Sequence, residues 1–558
     1  MALSGFIIHT RRCLRSPEMK EWANEGVQLQ RRTHLPTDCS HAMDHIVVVL
    51  FENRSLDNVL GHLYGPEDGK TFEGVIGKDL SNPIPEWAEH GAERKVVAYT
   101  VATDMDSPNP DSGEEYPHTN TQLYNILSEE NRFKLGEDIT APYNAPEPGQ
   151  NPTMDGYVTD YISCFTAEMG RQPTYDEYSQ IMTGFTPEQI PVLNGLARAF
   201  GVFDHWFCEV PSQTLPNRSF WTAATSSGFS VNAPVTNFIQ HNTAETIFNR
   251  LDDHGKTWKI YVGEPMQLSG TALAHFQRLK DQLATNIVPF AQFEADAANG
   301  DLPDFSFIEP CLALGHNDYH PACGRAMGHG VAIPSIDPPS SILGGEALLS
   351  RIYAAYKGMQ SSSGTNVWNT ALLIGWDEPG GTYDHVPPPS VPTPDASAPA
   401  GQDGFKFDRS GYRVPAIIVS PWVAEGDVFN QEHRHTSLIA TLREQWDLGN
   451  PFTGRDAAAR TFSHVFTLET PRDPKTWPVP QPRPVPPFME DLTALGQALG
   501  PLGKALFDGI RAYAKQANIE IDGMPKDPKV DVPPEEVMTV LRSFFANFFP
   551  TLVPATTS

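Results

Sequence analysis

The chain has 558 residues, a formal net charge of -28 and a pI near 5.0. That charge sets it against nucleic-acid backbones and anionic lipid, both of which would repel it, while 40% hydrophobic and 10% aromatic residues exclude a disordered chain. The length exceeds one small core, so one large α/β domain or several domains are expected.

Residues 1–43 read as an N-terminal segment. TRRCLRS, Thr10 to Ser16, loosely resembles a twin-arginine export signal, but the polar PEMKEWANEGVQLQ follows where an apolar stretch is required. With no signal peptide evident, the cytoplasm is favoured over the periplasm or secretion. No run reaches the roughly 18 apolar residues of a membrane span. The six cysteines (13, 39, 164, 208, 311 and 323) show no zinc-like spacing, and Cys311 with Cys323 is the nearest late pair.

From His45 the pattern changes. HIVVVLF (45–51) reads as a strand buried on both faces that delivers Glu52 and Asn53, then Arg54, Ser55 and Asp57. EEYPHTN carries His118 in a loop-like setting beside acids. TPEQIPVLNGLARAF (186–200) has helical spacing after a Thr-x-x-Glu-like start. CEVPSQTLPNRSFWTAATSSG (208–228) puts Thr214 at an apparent helix start, with Pro216 in the first turn. DFSFIEP (304–310) is a second strand, ending in Glu309, and HNDYHPACG holds Asp318 and His320. NTALLIGWDE (369–378) is a third, delivering Asp377 and Glu378 ahead of PGGTYDHV with Asp384 and His385. VPAIIVSPW (414–422) is a fourth, and TSLIATLREQW (436–446) is a capped helix. Strands of this kind, alternating with helices, indicate a doubly wound α/β sandwich with a mostly parallel central sheet. VPPPSVPTPDASAPAGQDG (386–404) is loop. Residues 44–470 make the main domain, the Pro-rich 471–488 reads as a semi-rigid linker, and 489–558 reads as a helical region. There Leu492, Leu495, Leu499, Leu502 and Leu506 share a face, as do Val537, Val540, Phe544 and Phe548, to dock on the main domain or on a second subunit as a homo-oligomer.

In open parallel sheets, ligands sit beyond the carboxyl ends of the strands. An acidic residue at one strand end is ordinarily a cap or surface loop. Two pairs, Glu52–Asn53 and Asp377–Glu378, after two core strands suit a divalent cation instead, because buried carboxylates need a counter-charge. A hydroxyl at a helix N-terminus faces the positive end of the dipole, where an alkoxide and a phosphate are stabilised. Thr214 fits that role and equally fits a plain N-cap, with Ser212 competing for either.

Taken together and in order, ENRSLDNVLG (52–61), PEQIPVLNGLARAFGVFDHWFCEVPSQTLPNR (187–218), NDYHP (317–321), DEPGGTYDHVPPP (377–389), RVPAIIVSPW (413–422) and HTSL (435–438) resemble the phosphoesterase family of bacterial phospholipases C, acid phosphatases and plant nonspecific phospholipases C, in the alkaline phosphatase superfamily. The resemblance implies an alkaline-phosphatase-like three-layer α/β/α sandwich over roughly residues 44–465, followed by the C-terminal helical extension. It implies that Glu52, Asn53, Asp377 and Glu378 bind a divalent metal (calcium, magnesium or manganese) at which Thr214 serves as nucleophile. It implies that His118, His320 and His385 hold phosphoryl oxygens or protonate the leaving group, that Asp318 orients a histidine, and that Asn53 and Arg218 contact substrate. A buried structural Arg218 paired with carboxylates is the competing reading. Leu56, Asn58 and Pro379 depart from the family's usual Phe, His and His. The implied reaction is phospholipase C cleavage of a phospholipid such as phosphatidylcholine through a phosphothreonine, with Trp206, Trp221 and Trp376 as candidates for a choline cage. A broad acid phosphatase acting on small phosphate esters is the alternative, and a noncatalytic metal-binding protein on the same fold a third.

Overall fold

The computed structural model describes residues 38–485 apart from 92, 264–268, 313–315, 322–326, 329–330, 333–340 and 396–400. The expected C-terminal helices at 489–558, their proposed self-association, most of the N-terminal segment and Cys323 lie outside the described residues.

An eight-stranded mixed sheet forms the centre. Its strands are β1 (His45–Phe51), β2 (Gly201–Phe203), β3 (Trp258–Val262), β4 (Ile287–Pro289), β5 (Phe305–Glu309), β6 (Thr370–Trp376), β7 (Ala416–Val419) and β8 (Asp427–Phe429), in the spatial order β8-β2-β7-β6-β1-β5-β3-β4. β1 lies between β5 and β6, parallel to both, and six of its seven residues are buried. Covering on both faces is why its sequence is an unbroken apolar run. The register sets Phe51 opposite Trp376 and Val49 opposite Ile308, so the carboxyl ends of β1, β6 and β5 arrive side by side.

One strand departs from expectation. β7 runs antiparallel to both β6 and β2. An apolar run encodes burial on two faces and not direction; here the long loop after β6 brings the chain back along the sheet without a crossover helix, which a parallel neighbour would need.

The helices that matter for the site are α1 (Leu56–Leu60), α2 (Tyr116–Tyr124), α3 (Tyr157–Met169), α4 (Pro191–Ala199), α5 (Thr214–Ala223), α6 (Gly270–Ala274), α7 (Phe290–Asn299), α8 (Ser341–Lys357) and α9 (Thr436–Trp446). α8 packs on α4 and α7, while α5 packs on α6 and α9, which gives a three-layer α/β/α sandwich. α4 begins at Pro191 rather than at Thr186, because Pro supplies the fixed φ of a first helical position. Beside the sheet, α2 and α3 form a lobe with its own apolar cluster, including Leu123, Tyr157, Tyr161, Phe165 and Ile181, closed by Tyr383 and Tyr412.

The Pro-rich segment is not a free linker where it is described. Trp477 is buried edge-on against Phe200 with ring centroids 4.8 Å apart. The Tyr353 hydroxyl donates to the carbonyl of Pro478, and Lys357 Nζ donates to that of Trp477. Trp477 thus gains burial against Phe200, and the carbonyls of Trp477 and Pro478 gain donors from α8. No helix among the described residues is long and apolar enough to cross a membrane.

Candidate active site

Two strand ends and one helix start converge. After β1 the chain turns at Asn53, which has φ 57, a left-handed conformation that Asn tolerates better than most residues. Ser55 then caps α1 by accepting from the Asn58 amide at 3.2 Å. The loop after β6 wraps this turn. Gly380 has φ 60, and a Cβ there would lie 2.4 Å from the Asn53 carbonyl oxygen, so only glycine fits. The Asn53 amide N–H reaches Asp377 Oδ1 at 3.4 Å, and the Glu378 amide donates to the same oxygen at 2.8 Å.

Thr214 is the first residue of α5, with Gln213 as the N-cap. Its side chain is therefore not a cap: Oγ1 donates to Glu52 Oε2 at 3.2 Å. The turn before it is held by Asn217, whose Oδ1 accepts from the amides of Glu209 and Val210 and whose Nδ2 donates to the carbonyls of Val210, Ser212 and Gln213. Ser212, its competitor at sequence level, is buried with no partner for its hydroxyl.

Arg218 lies one helical turn further on, fully buried. Nη2 donates to Glu52 Oε1 at 2.5 Å, Nη1 to Glu309 Oε1 at 2.8 Å, and Nε stands 3.2 Å from Asp377 Oδ2 without hydrogen-bond alignment. Burial works against its charge, but Glu52, Asp377 and Glu309 outweigh it and raise its pKa further. The expected substrate contact is thus not what the structure places here. Arg218 is the counter-charge under the carboxylates, since a guanidinium with three anionic partners at 0% exposure has no donor turned to a ligand. Arg54 is likewise internal, donating to the Tyr319 and Ser107 carbonyls and to Asn58 Oδ1.

One arginine does not balance Glu52, Glu309, Asp377 and Glu378. Burial pushes Asp377 and Glu378 well above the carboxylate range, with Glu52 adding to the first and Glu114 and Asp377 to the second. Asn53 Oδ1 and Glu378 Oε1 are buried without hydrogen-bond partners. A hard-oxygen donor set with orphaned lone pairs and excess negative charge fits a divalent cation. His435, from the HTSL motif, braces this set: its Nε2–H donates to the Asp377 carbonyl at 2.6 Å, its ring stacks on Trp221, and burial lowers its pKa to about 4, so it is neutral.

The histidines separate. His320 Nε2 stands 2.9 Å from Asn53 Nδ2 and 3.3 Å from Glu114 Oε1, at the site. Its ring is oriented by the Pro321 carbonyl, 2.7 Å from Nδ1, and not by Asp318. Asp318 instead accepts the backbone amide of His320 and pairs with the ring of His316, a residue two positions earlier that sequence reasoning passed over. His118 lies on α2 with its ring against Gly113, next to Glu114. Its Nδ1 meets Asp160 Oδ1 at 2.8 Å, and Nε2 is buried without a partner. Burial pulls the His118 pKa down, but the Asp160 charge and hydrogen bond, with Glu115 and Glu168, carry it up to about 9. Burial also raises Asp160, yet its oxygens accept from both His118 and Gln122, so the pair reads as imidazolium and carboxylate.

His385 is not brought to Thr214. Its Nδ1 lies 2.6 Å from Asp57 and its Nε2 3.0 Å from Glu73, while Arg413 bridges Asp57 and Asp384 at 2.8 and 3.0 Å. The polar end of ENRSLD thereby divides: Glu52 and Asn53 face the site, and Asp57 locks α1 to the loops after β6 and before β7. Trp206, Trp221 and Trp376 are all core residues at 0% exposure, which removes them as a choline cage. Glu114 and Asp111 were missed. Their only signal was the acidic run DSGEE just before the histidine of EEYPH. Among the described residues, two groups of three side chains bring ligand atoms within 4.8 Å of one another, Asp111–Glu114–His320 and Asp57–Asp384–His385.

Residues 43–449 match the Phosphoesterase family. The chain is 31% identical to non-specific phospholipase C6 of Arabidopsis thaliana over 458 residues, covering 79% of this chain and 75% of that one. It is 25% identical to phospholipase C B of Mycobacterium tuberculosis over 473 residues, covering 79% and 81%. A solved protein of the alkaline phosphatase superfamily from Vibrio parahaemolyticus aligns at 14% identity and a TM-score of 0.29, over 50% of this chain and 66% of that one.

Proposed function

The chain belongs to the Phosphoesterase family and is a phosphoric ester hydrolase, and on that premise we propose that it is a phospholipase C that cleaves the phosphodiester of a zwitterionic phospholipid such as phosphatidylcholine through a phosphothreonine at Thr214. The observation that carries this reading is the Thr214 hydroxyl at the first position of α5, hydrogen-bonded to Glu52 at the end of β1. The names of the relatives in Arabidopsis and Mycobacterium support the lipid substrate, and the net charge of -28 favours a zwitterionic headgroup over an anionic one.

Glu52, Asn53, Asp377, Glu378 and Thr214 would hold the divalent cation, which supplies Lewis acidity at a phosphoryl oxygen when bound. Each remaining task falls to the chain. Glu52 orients Thr214 Oγ1, which sits at the first position of α5, the positive end of its dipole. Oγ1 passes its proton to Glu52 as it attacks phosphorus, the phosphorus–alcohol bond breaks, and the diacylglycerol oxygen takes a proton from the His118 imidazolium. Water then attacks the phosphothreonine and gives a proton to His118, Thr214 Oγ1 recovers its proton from Glu52, and the phosphorylated headgroup is released. His118 suits the acid role because Asp160 keeps it charged near neutral pH.

The test uses p-nitrophenyl phosphorylcholine beside p-nitrophenyl phosphate, with release of phosphocholine from phosphatidylcholine micelles as the third arm. Turnover of the diester and the lipid is expected. Turnover of the monoester alone would replace this reading with an acid phosphatase.

A further inference from the structure

The turn that carries His320 combines a strained backbone with a deep anchor. Tyr319 has φ 73, a left-handed conformation that a bulky residue rarely adopts, and it is fully buried. Two neighbouring side chains part at this turn. Tyr319 enters the layer of α8, while His320 Nε2 comes to 2.9 Å from Asn53 Nδ2 at the site.

The Tyr319 side chain is fixed by three different contacts. Its hydroxyl donates to Glu346 Oε1 at 2.7 Å. Its ring meets Phe51 and Trp376 edge-on, with centroids 4.9 and 5.2 Å away, and these are the residues immediately before Glu52 and Asp377. On α8, a Cβ at Gly345 would overlap the ring, so the helix approaches it only through a glycine. Glu346 is itself held. It is buried at 0% exposure, Oε2 accepts the Val192 amide at 2.7 Å, and Oε1 accepts the Leu193 amide at 2.8 Å, both in the first turn of α4. A carboxylate facing a helix start is favoured by the dipole as well as by these bonds. The backbone of the turn is clamped too: the Glu52 amide donates to the Asp318 carbonyl at 2.9 Å, and Arg54 Nε to the Tyr319 carbonyl at 2.7 Å. An apolar pair would pack the space between α8 and the strand ends without burying a carboxylate. What the bond from Tyr319 to Glu346 adds is a fixed location for the turn.

We propose that Tyr319, anchored by Glu346, is a positioning residue for His320, holding its imidazole where it meets the phosphoryl group as Thr214 attacks. The inference rests on the hydrolytic reading for the role of His320 and adds to it the residues that place that ring.

The experiment measures kcat and KM of the full chain on whichever of p-nitrophenyl phosphorylcholine and p-nitrophenyl phosphate it turns over, so the phospholipase reading can fail without removing the test. Tyr319→Phe keeps the ring and loses the hydroxyl. It is expected to lower kcat and kcat/KM together by about tenfold, with KM unchanged and the melting temperature within a few degrees. Gly345→Ala displaces the ring and leaves both polar groups in place; it should do the same, and either variant alone carries the comparison. His320→Ala should lose about a hundredfold. Tyr319→Phe added to it should cost nothing more, because no imidazole is left to misplace. A role in folding alone predicts a lower melting temperature and the same fractional loss of kcat with or without His320. That pattern would overturn the inference, as would full kcat in Tyr319→Phe or in His320→Ala. None of these results touches the hydrolytic reading, which is tested at Thr214.

Discussion

Thr214 Oγ1 and Glu52 Oε2 are 3.2 Å apart, joining the first residue of a helix to the residue that follows the central strand. No local signal in either segment specifies that meeting. Thr214→Ala removes the hydroxyl without disturbing the Asn217 bonds that shape the turn. Turnover of the diester is expected to fall by at least about a thousandfold, as when a covalent nucleophile is deleted, while the melting temperature stays within a few degrees. Thr214→Ser should retain measurable turnover. Full activity in Thr214→Ala would remove it as nucleophile.

Arg218 is predicted to act on folding and not on substrate affinity. Its removal leaves Glu52, Glu309 and Asp377 buried with no guanidinium between them, at a cost of about 3–5 kcal/mol. Denaturant melts of Arg218→Ala should show that loss. A variant of wild-type stability with a raised KM alone would restore the substrate-binding role.

The alkaline limb of the pH profile should belong to His118. Its pKa is raised from 6.5 to about 9, so the protonated form is favoured in the folded protein. The stability it contributes is fully present below about pH 6.5 and is lost as pH rises through about 9. As the acid, it also fails over that upper range, so kcat/KM on p-nitrophenyl phosphorylcholine should decline as pH approaches about 9. Asp160→Asn removes the main raising influence and should move the limb toward neutral pH. An unmoved limb in that variant would assign it to another group.

Chelation should lower both activity and melting temperature, because Asp377 and Glu378 are buried without sufficient counter-charge. A cation supplied at a thousand times its Kd stabilises by about 4 kcal/mol. Scanning calorimetry with and without added Mn2+ reads this directly; an unchanged transition after verified metal loss would contradict it.

Trp477 tests the strap formed by the Pro-rich segment. Trp477→Ala empties a buried aromatic site against Phe200 and should cost about 3–5 kcal/mol. A neutral effect in thermal melts would return 471–485 to the status of a spacer.

What the sequence made legible was what is local or periodic. The apolar runs of β1, β5 and β6 and the helix at 436–446 stand where expected, because a doubly covered strand and a capped helix each write a pattern into neighbouring residues. That the acids Glu52, Asp377 and Glu378 gather beyond the strand ends was also readable, since the fold class itself points to that end of the sheet. Direction was not, hence the antiparallel β7, whose apolar side chains are those a parallel strand would carry. The partners of single polar residues were least legible of all. His385 and Asp57 meet across 328 positions, and Arg218 and Glu52 across 166, so only the assembled fold separates an internal ion pair from a ligand contact. Glu114 stayed hidden for the same reason: its neighbours Asn53 and His320 come from other segments.

The register of β1 against β6 has a further meaning. Phe51 and Trp376 are exact neighbours across a parallel ladder, and each is the last residue of its strand. Glu52 and Asp377 are therefore spaced by the rung of the sheet, a fixed unit of backbone geometry, and not by the side chains around them. The candidate site inherits its dimensions from a ruler. Inserting one residue in either strand would offset the two carboxylates by a rung and turn one of them to the opposite face, whereas the loops beyond can lengthen or change composition without altering that spacing. A chain built this way can vary the walls of its pocket freely while the distance between its two acids stays constant.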